Sequence, residues 1–236
     1  MRDKKIIAAS ALVLLIFLCI SASLFYFQLP NMMIARCYEC RGIDVSHYQG
    51  DIDWDSIKKQ EIKFVYIKAT EGSSYVDECY ELNSNKAAAE GLTIGFYHFF
   101  SFESSGISQA ENYIATVGEL NGKLIPAVDV EFYGNQRNPD RETVNKELSD
   151  MLEYLETYYG RKPIIYSTQS FYNAYLKNGY EDYPLWIRNV YLPPAQDWTI
   201  WQYSDRLRLY GMQGKEKFTD GNVMRGDISN MGLSVE

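Results

Sequence analysis

The chain has 236 residues and carries 23 Lys and Arg against 31 Asp and Glu, a net charge of −8; Arg2, Lys4, Lys5 and Arg36 all precede residue 37, so the remainder is more acidic still. A length of this order fits one α/β barrel or two small domains, and the acidic balance argues against nucleic acid as a partner. Aromatic residues are abundant, with 20 Tyr and 4 Trp, more than a core needs, and they fit either barrel packing or a cleft lined by rings.

No charged residue occurs between Lys5 and Arg36, and Ile6–Leu29 is a run of 24 mostly apolar positions, long enough to span a bilayer as a helix. Arg2, Lys4 and Lys5 precede it, so the positive-inside tendency puts the N-terminus in the cytoplasm and the chain after Pro30 outside. The expected organisation is a cytoplasmic stub, transmembrane anchor and linker over residues 1–36, followed by one exported domain over 37–236. A cleavable signal peptide is the competing reading, with Ser21-Ala22-Ser23 as the cleavage site and a secreted domain as the product. The apolar run continues through Leu24-Phe25-Tyr26-Phe27, which favours the retained anchor. Export exposes Cys37, Cys40 and Cys79 to oxidising conditions, so a structural disulfide is expected, its connectivity open. One Cys37-Tyr38-Glu39-Cys40 pair with only His47 and His98 elsewhere is too little for a zinc site, and no metal is expected.

From Gly42 onward, β-branched and aromatic runs alternate with helical patterns, as βα units of a largely parallel sheet do. The predicted strands are Gly42–Val45, Lys63–Ala69, Thr93–Phe99, Leu124–Glu131, Pro163–Ser167, Leu185–Ile187, Thr199–Tyr203 and a weak one near Phe218. Pro126 donates no ladder hydrogen bond and fits only near the start of its strand. Helices are predicted over Leu82–Glu90, Ser108–Val117 and Thr143–Tyr159, each ended by a glycine. In the last, Val144, Leu148, Met151, Leu152, Leu155 and Tyr159 recur at spacings of three and four, which makes one core-facing stripe. The fold class is therefore α/β: an irregular (β/α) barrel of about eight strands, preceded by the N-terminal transmembrane helix.

Residues two apart on a strand face the same way, so Asp129 and Glu131 of Ala127-Val-Asp-Val-Glu131 form a pair of carboxylates at a strand end. Barrel active sites are built from the C-terminal ends of strands, and Asp44, Tyr97, His98 and Tyr166 also fall there. Two close carboxylates resist a second negative charge, which keeps one protonated near neutrality as an acid. The outer one, Glu131, is the expected proton donor. An Asp-x-Glu at a strand end also arises by chance, and Trp54, Trp186, Trp198 and Trp201 taken singly fit core packing equally well. No nucleophile elbow, phosphate-cradling loop or zinc motif is present in the sequence.

Gly42-Ile-Asp-Val-Ser-His-Tyr-Gln-Gly50 resembles the opening strand of the family 25 glycoside hydrolases, the muramidase-type lysozymes. Phe64-Val-Tyr-Ile-Lys-Ala-Thr-Glu-Gly72, Gly95-Phe-Tyr-His-Phe99, Ala127–Glu131, Lys162-Pro-Ile-Ile-Tyr-Ser167, Pro184-Leu-Trp-Ile187 and Trp198-Thr-Ile-Trp-Gln-Tyr-Ser204 follow in that family's order. The resemblance implies a hydrolase of peptidoglycan that cuts the β-1,4 bond between N-acetylmuramic acid and N-acetylglucosamine with no cofactor; peptidoglycan strands are then the expected partner, and a monomer is expected. By motif, Glu131 is the general acid, Asp129 its carboxylate neighbour, Asp44 the acid of the first strand, and Asp220 of Gly214-Lys-Glu-Lys-Phe-Thr-Asp-Gly-Asn-Val223 the fourth carboxylate. Tyr97, Tyr166 and Trp186 are implied to line the sugar subsites, and Glu71 to bind substrate.

Asp227 is the rival to Asp220, but only Asp220 has an Asn two residues on, so Asp227 reads as a turn residue. Whether Asp129 attacks directly or steadies a substrate acetamido group stays open, since both need a carboxylate beside Glu131. Two positions depart from the family's pattern: Arg188 stands where Ala usually follows Trp-Ile, and Met224 where an aromatic is usual. Arg188 places a cation at the groove. The alternatives are a non-catalytic, membrane-anchored wall-glycan-binding module and a chitinase-like hydrolase of N-acetylated glycans.

Overall fold

The computed structural model describes residues 2–132, 140–214, 216 and 218–232; Lys215 and Lys217 of the motif before Asp220 lie outside them. A helix, α1 (Arg2–Tyr26), carries most of the apolar run and presents Leu12, Phe17 and Phe25 to the outside. It ends where Gln28 takes a left-handed conformation (φ 55°), and Pro30 then sits in the first turn of α2 (Leu29–Ala35). That break corrects the expected span. Among the described residues no single helix is long and apolar enough to cross a membrane, while Ser10–Tyr26 and Leu29–Ala35 together are, by length and composition, bent by 51°. The stretch expected as a linker is thus helix α2, and its Ala35 and Met32 pack on Trp201 and Tyr203 of the barrel wall.

The barrel strands are β1 (Cys40–Val45), β2 (Phe64–Glu71), β4 (Thr93–Phe99), β5 (Ala127–Asp129), β6 (Ile164–Thr168), β7 (Leu185–Arg188), β8 (Ile200–Leu207) and β9 (Thr219–Met224), with a short β3 (Tyr75–Val76) beside β2. The order is β1-β9-β8-β7-β6-β5-β4-β2, and a β1–β2 pairing closes the circle into eight strands. Six of the barrel pairings are parallel, but β9 runs antiparallel to both β8 and β1. No helix lies between β8 and β9 among the described residues, and an antiparallel pair needs no helical crossover. The weak strand near Phe218 is this reversed one. Strand β5 begins just after Pro126, whose carbonyl accepts from Ile164 N at 2.8 Å, so the proline needs no ladder donor.

Alternation sorts the strand side chains into two apolar layers. Phe64, Tyr66, Ala127, Ile164, Tyr166, Trp186 and Ile200 fill the barrel interior; Val65, Ile67, Ile94, Phe96, Val128 and Ile165 face outward to the helices. The interior layer depends on small residues opposite large ones. Gly42 is paired in register with Phe64, and Gly95 with Tyr66; a Cβ on either would lie 2.4 Å or 2.5 Å from the facing ring.

The outer helices are α3 (Trp54–Lys58), α4 (Tyr80–Ala89), α5 (Gly106–Val117) and α6 (Arg141–Tyr159). On α6, Val144, Leu148, Met151, Leu152 and Leu155 are buried, as their spacing required, and Gly160 ends the helix at φ 67°. It starts two residues before the expected Thr143 because Asp140 caps it, accepting from Thr143 N at 2.8 Å. Likewise Ser105 caps α5 and starts it ahead of Ser108. Helix α3 is only five residues long, too short to show a period. The expected disulfide is not formed. All four cysteines are free: Cys40 is buried in the barrel while Cys37 is on the surface, so the two thiols face different environments.

The glycine–aromatic pairing in the barrel carries a testable cost. Gly95→Ala pushes Tyr66, which is fully buried and donates from its OH to Ile125 O at 3.1 Å, and overpacking of this kind costs roughly 1–3 kcal/mol. The expected result is a fall in Tm of about 2–10 °C by calorimetry. An unchanged Tm would mean that the interior layer has slack.

Candidate active site

The C-terminal ends of the parallel strands deliver their polar residues to one open cleft of about 270 Å³. Asp44 comes from β1, Lys68 and Glu71 from β2, Tyr97 and Phe99 from β4, Asp129 and Glu131 from the end of β5, Tyr166 from β6 and Trp186 from β7. Asp220 joins them from the start of β9, because that strand runs the other way. Strand β5 stops at Asp129, yet Val130 N still donates to Tyr166 O at 3.0 Å and Val130 O accepts from Ser167 Oγ at 2.9 Å. The alternation therefore persists far enough to bring Glu131 to the same cleft as Asp129.

Asp44 and Asp220 are directly opposed in the β1–β9 register, and their carboxyl groups hydrogen-bond each other. Such a bond needs a shared proton. Asp44 is the acceptor of the pair: its Oδ2 also receives Asn222 Nδ2 at 2.7 Å and Gln202 Nε2 at 3.1 Å. Those amides are oriented in turn, since Trp186 Nε1 donates to Asn222 Oδ1 at 2.8 Å and Tyr166 OH to Gln202 Oε1 at 2.9 Å. Burial and then the charge of Asp44 push Asp220 well above the usual carboxylate range, so the proton resides there. Asp227, by contrast, is exposed and caps a short 3₁₀ turn, accepting from Ser229 N at 2.9 Å.

Burial, and after it the charges of Glu131 and Asp44, also drive Asp129 well up. Its Oδ1 has no hydrogen-bond partner among the described residues. Glu131 is raised to about 7, by burial first; Arg188 pulls it down and Asp44 pushes it up. Burial alone would favour Asp129 as the more tightly held proton, but it is Glu131 that stands at the end of the strand, toward the open side.

The family model for glycosyl hydrolases family 25 matches residues 43–212. The chain belongs to that family. It is a glycoside hydrolase. Its fold is similar to that of a family 25 glycosyl hydrolase from Bacillus anthracis, with 46% identity, a TM-score of 0.78, and 83% of this chain and 94% of that one covered. A bacterial lysozyme from Streptomyces coelicolor gives 30% identity and a TM-score of 0.74 over 81% of this chain and 94% of its own. In sequence, the chain is 34% identical to YegX of Escherichia coli K12 over 86% of this chain and 76% of the relative. Lysozyme M1 of Streptomyces globisporus is 32% identical, with 81% and 69% covered. Asp220 lies beyond the stretch the family model matches, so it is the register with Asp44 that draws it into the cleft.

Of the residues expected at this cleft, Asp44, Glu71, Tyr97, Asp129, Glu131, Tyr166, Trp186 and Asp220 line one cavity, whereas His98, expected at the same strand ends, is fully buried outside it and bonds Thr70 and Gln109. Their exposure differs from expectation. Trp186 is 2% exposed and Tyr166 7%, so each shows the cleft only an edge, while Glu71 is held by Lys68 Nζ at 2.6 Å. The exposed ring at the cleft rim is Tyr48, 61% exposed, which sequence reading missed. Ser46 caps the turn that presents it, and His47 Nδ1 bonds Asp77 Oδ2 at 2.7 Å beside it. Gln202 and Asn222 were legible only as letters of their motifs, because nothing in a strand pattern says which amide supports which acid. Arg188 extends from the end of β7 and forms an ion pair with Asp205.

Proposed function

We propose that this glycoside hydrolase is a peptidoglycan muramidase, cutting the β-1,4 bond between N-acetylmuramic acid and N-acetylglucosamine with Glu131 as general acid. The observation that carries the reading is the pairing of Glu131, raised to about 7, with Asp129 in a cleft lined by five carboxyl residues. The lysozyme names of several relatives point to the same substrate. In the first step the Glu131 carboxyl gives its proton to the glycosidic oxygen as the C1–O bond breaks. The acetamido carbonyl oxygen of the same sugar then bonds to C1. With the proton of the pair on Glu131, Asp129 acts as the carboxylate: it accepts from the acetamido N–H, and its negative charge counters the positive charge that develops there. Its unpartnered Oδ1 favours this role over direct attack. Water next attacks C1, the Glu131 carboxylate takes a proton from it, and the acetamido group is released.

Asp44 and Asp220 share one proton and so place about one negative charge behind the reacting carbon, where an oxocarbenium-like charge develops. Tyr48 stacks on an apolar sugar face, and Tyr97, Tyr166 and Trp186 shape the subsites from the wall. The barrel works outside the cell, held at a membrane by the bent segment formed by α1 and α2. Arg2, Lys4 and Lys5 on one side of the apolar run support that orientation. Leu12, Phe17 and Phe25, each more than half exposed, form a surface too apolar to face water over its whole length.

Glu131→Gln keeps the side chain's shape and removes its proton, so release of reducing ends from purified peptidoglycan should fall by at least about a hundredfold with Tm preserved. Activity should persist below the Glu131 midpoint of about 7 and decline as the pH rises through it, because the acid must enter the reaction protonated. Unchanged turnover by the variant would remove Glu131 from its role, and equal release from chitin would favour the chitinase-like reading. Fractionated cells making the full chain should hold it in the membrane, with the barrel open to protease added from outside. A soluble product that begins after Ser23 would establish cleavage instead of anchoring.

A further inference from the structure

The turn between α1 and α2 touches the barrel at the side where the cleft opens. Gln28 is only 5% exposed, although it lies between a surface helix and a segment expected to be a linker. Its side chain makes three hydrogen bonds to the end of β8: Oε1 accepts from Ser204 Oγ at 2.7 Å and Asp205 N at 3.2 Å, and Nε2 donates to Asp205 Oδ1 at 2.7 Å. The other carboxylate oxygen of Asp205 pairs with the Arg188 guanidinium. Arg188 lies two residues beyond Trp186 on β7 and therefore on the same, cleft-facing side. It is also paired in register with Gln202, one of the two amides that hold Asp44.

We propose that Gln28 is a positioning residue of the active site: by fixing Asp205 it fixes Arg188, and so ties the segment next to the membrane to the geometry around Glu131. The proposal rests on the reading of Glu131 as the general acid. Charged and titratable groups around Glu131 come from several strands, Tyr97 of β4 among them. Asp129 shares its strand, Asp44 comes from β1, Tyr166 from β6 and Arg188 from β7, with Asp220 of β9, Asp205 of β8 and Lys68 of β2 behind them. Among these, Arg188 is the cation that lowers Glu131. A cation favours the carboxylate, so holding Arg188 close keeps Glu131 from rising above neutrality, and letting it go moves the acid upward. Asn31 docks the same segment separately, donating to Asn189 O at 3.1 Å and Tyr203 O at 3.2 Å without touching Asp205.

The difference between the two docking residues supplies the test, made on the full chain in membranes with peptidoglycan as substrate across pH. Arg188→Ala should shift the alkaline limb of kcat/KM upward by about one pH unit. Gln28→Asn accepts the left-handed backbone but is too short to reach Asp205; it should shift the limb the same way by roughly half a unit. The double variant should match Arg188→Ala alone, and Asn31→Ala should lower Tm without moving the limb. A Gln28→Asn profile that superimposes on wild type, or an Asn31→Ala profile that moves as far, would overturn the positioning role. If Arg188→Ala left the limb in place while Glu131→Gln abolished hydrolysis, the proposal would fail because Arg188 does not act on the acid; if Glu131→Gln kept full turnover, the failure would lie with Glu131 as the acid.

Discussion

Asp44, Asp129, Glu131 and Asp220 are enclosed together, and carboxyl groups so placed cannot all ionise, because each charge loses its hydration and meets the field of the others. Protons therefore stay in the cleft near neutral pH. The fold exists, in effect, to impose that crowding. A barrel closed by β1 on β2 gathers strand ends on one face, and the reversed β9 sets Asp220 directly against Asp44. Trp186 and Tyr166, buried as core residues, at the same time orient the two amides that hold Asp44. Packing and electrostatics are consequently one structure here, and a disturbance of the interior aromatic layer reaches the acids through two hydrogen bonds.

Much of this was legible in the sequence where a local rule applied. The core stripe of α6 follows from spacings of three and four, and the shared cleft of Asp129 and Glu131 from the period of two. Asp220 was reached by the Asn two residues later, and that Asn222 is the residue that bonds Asp44. What could not be read depends on contacts across long sequence distances. The closure of β1 on β2, the reversal of β9, and the service of Gln202 to an acid 158 residues away leave no periodic trace. Trp186 looked equally like core and subsite because it is buried in the barrel interior and also lines the cleft. Short elements such as α3 and β3 were missed because two to five residues cannot display a period.

The N-terminal region departs furthest from expectation. An uninterrupted apolar run reads as one straight helix, since hydropathy does not register a backbone break. Gln28 at φ 55° with Pro30 just after it supplies that break, and the polar side chains at the bend are buried because they bond to β8. A polar residue inside an apolar stretch is thus the sign that the stretch meets the folded domain at that point.

The central claim is that burial beside Asp129 and Asp44, against the pull of Arg188, leaves Glu131 able to hold a proton near neutrality. Carbon-13 NMR titration of glutamate side-chain carboxyls reads this directly, with Glu131→Gln identifying the resonance. One glutamate carboxyl should titrate with a midpoint near 7 and be lost in the variant. Titration of every glutamate carboxyl below about pH 5, the range of solvated groups, would contradict it.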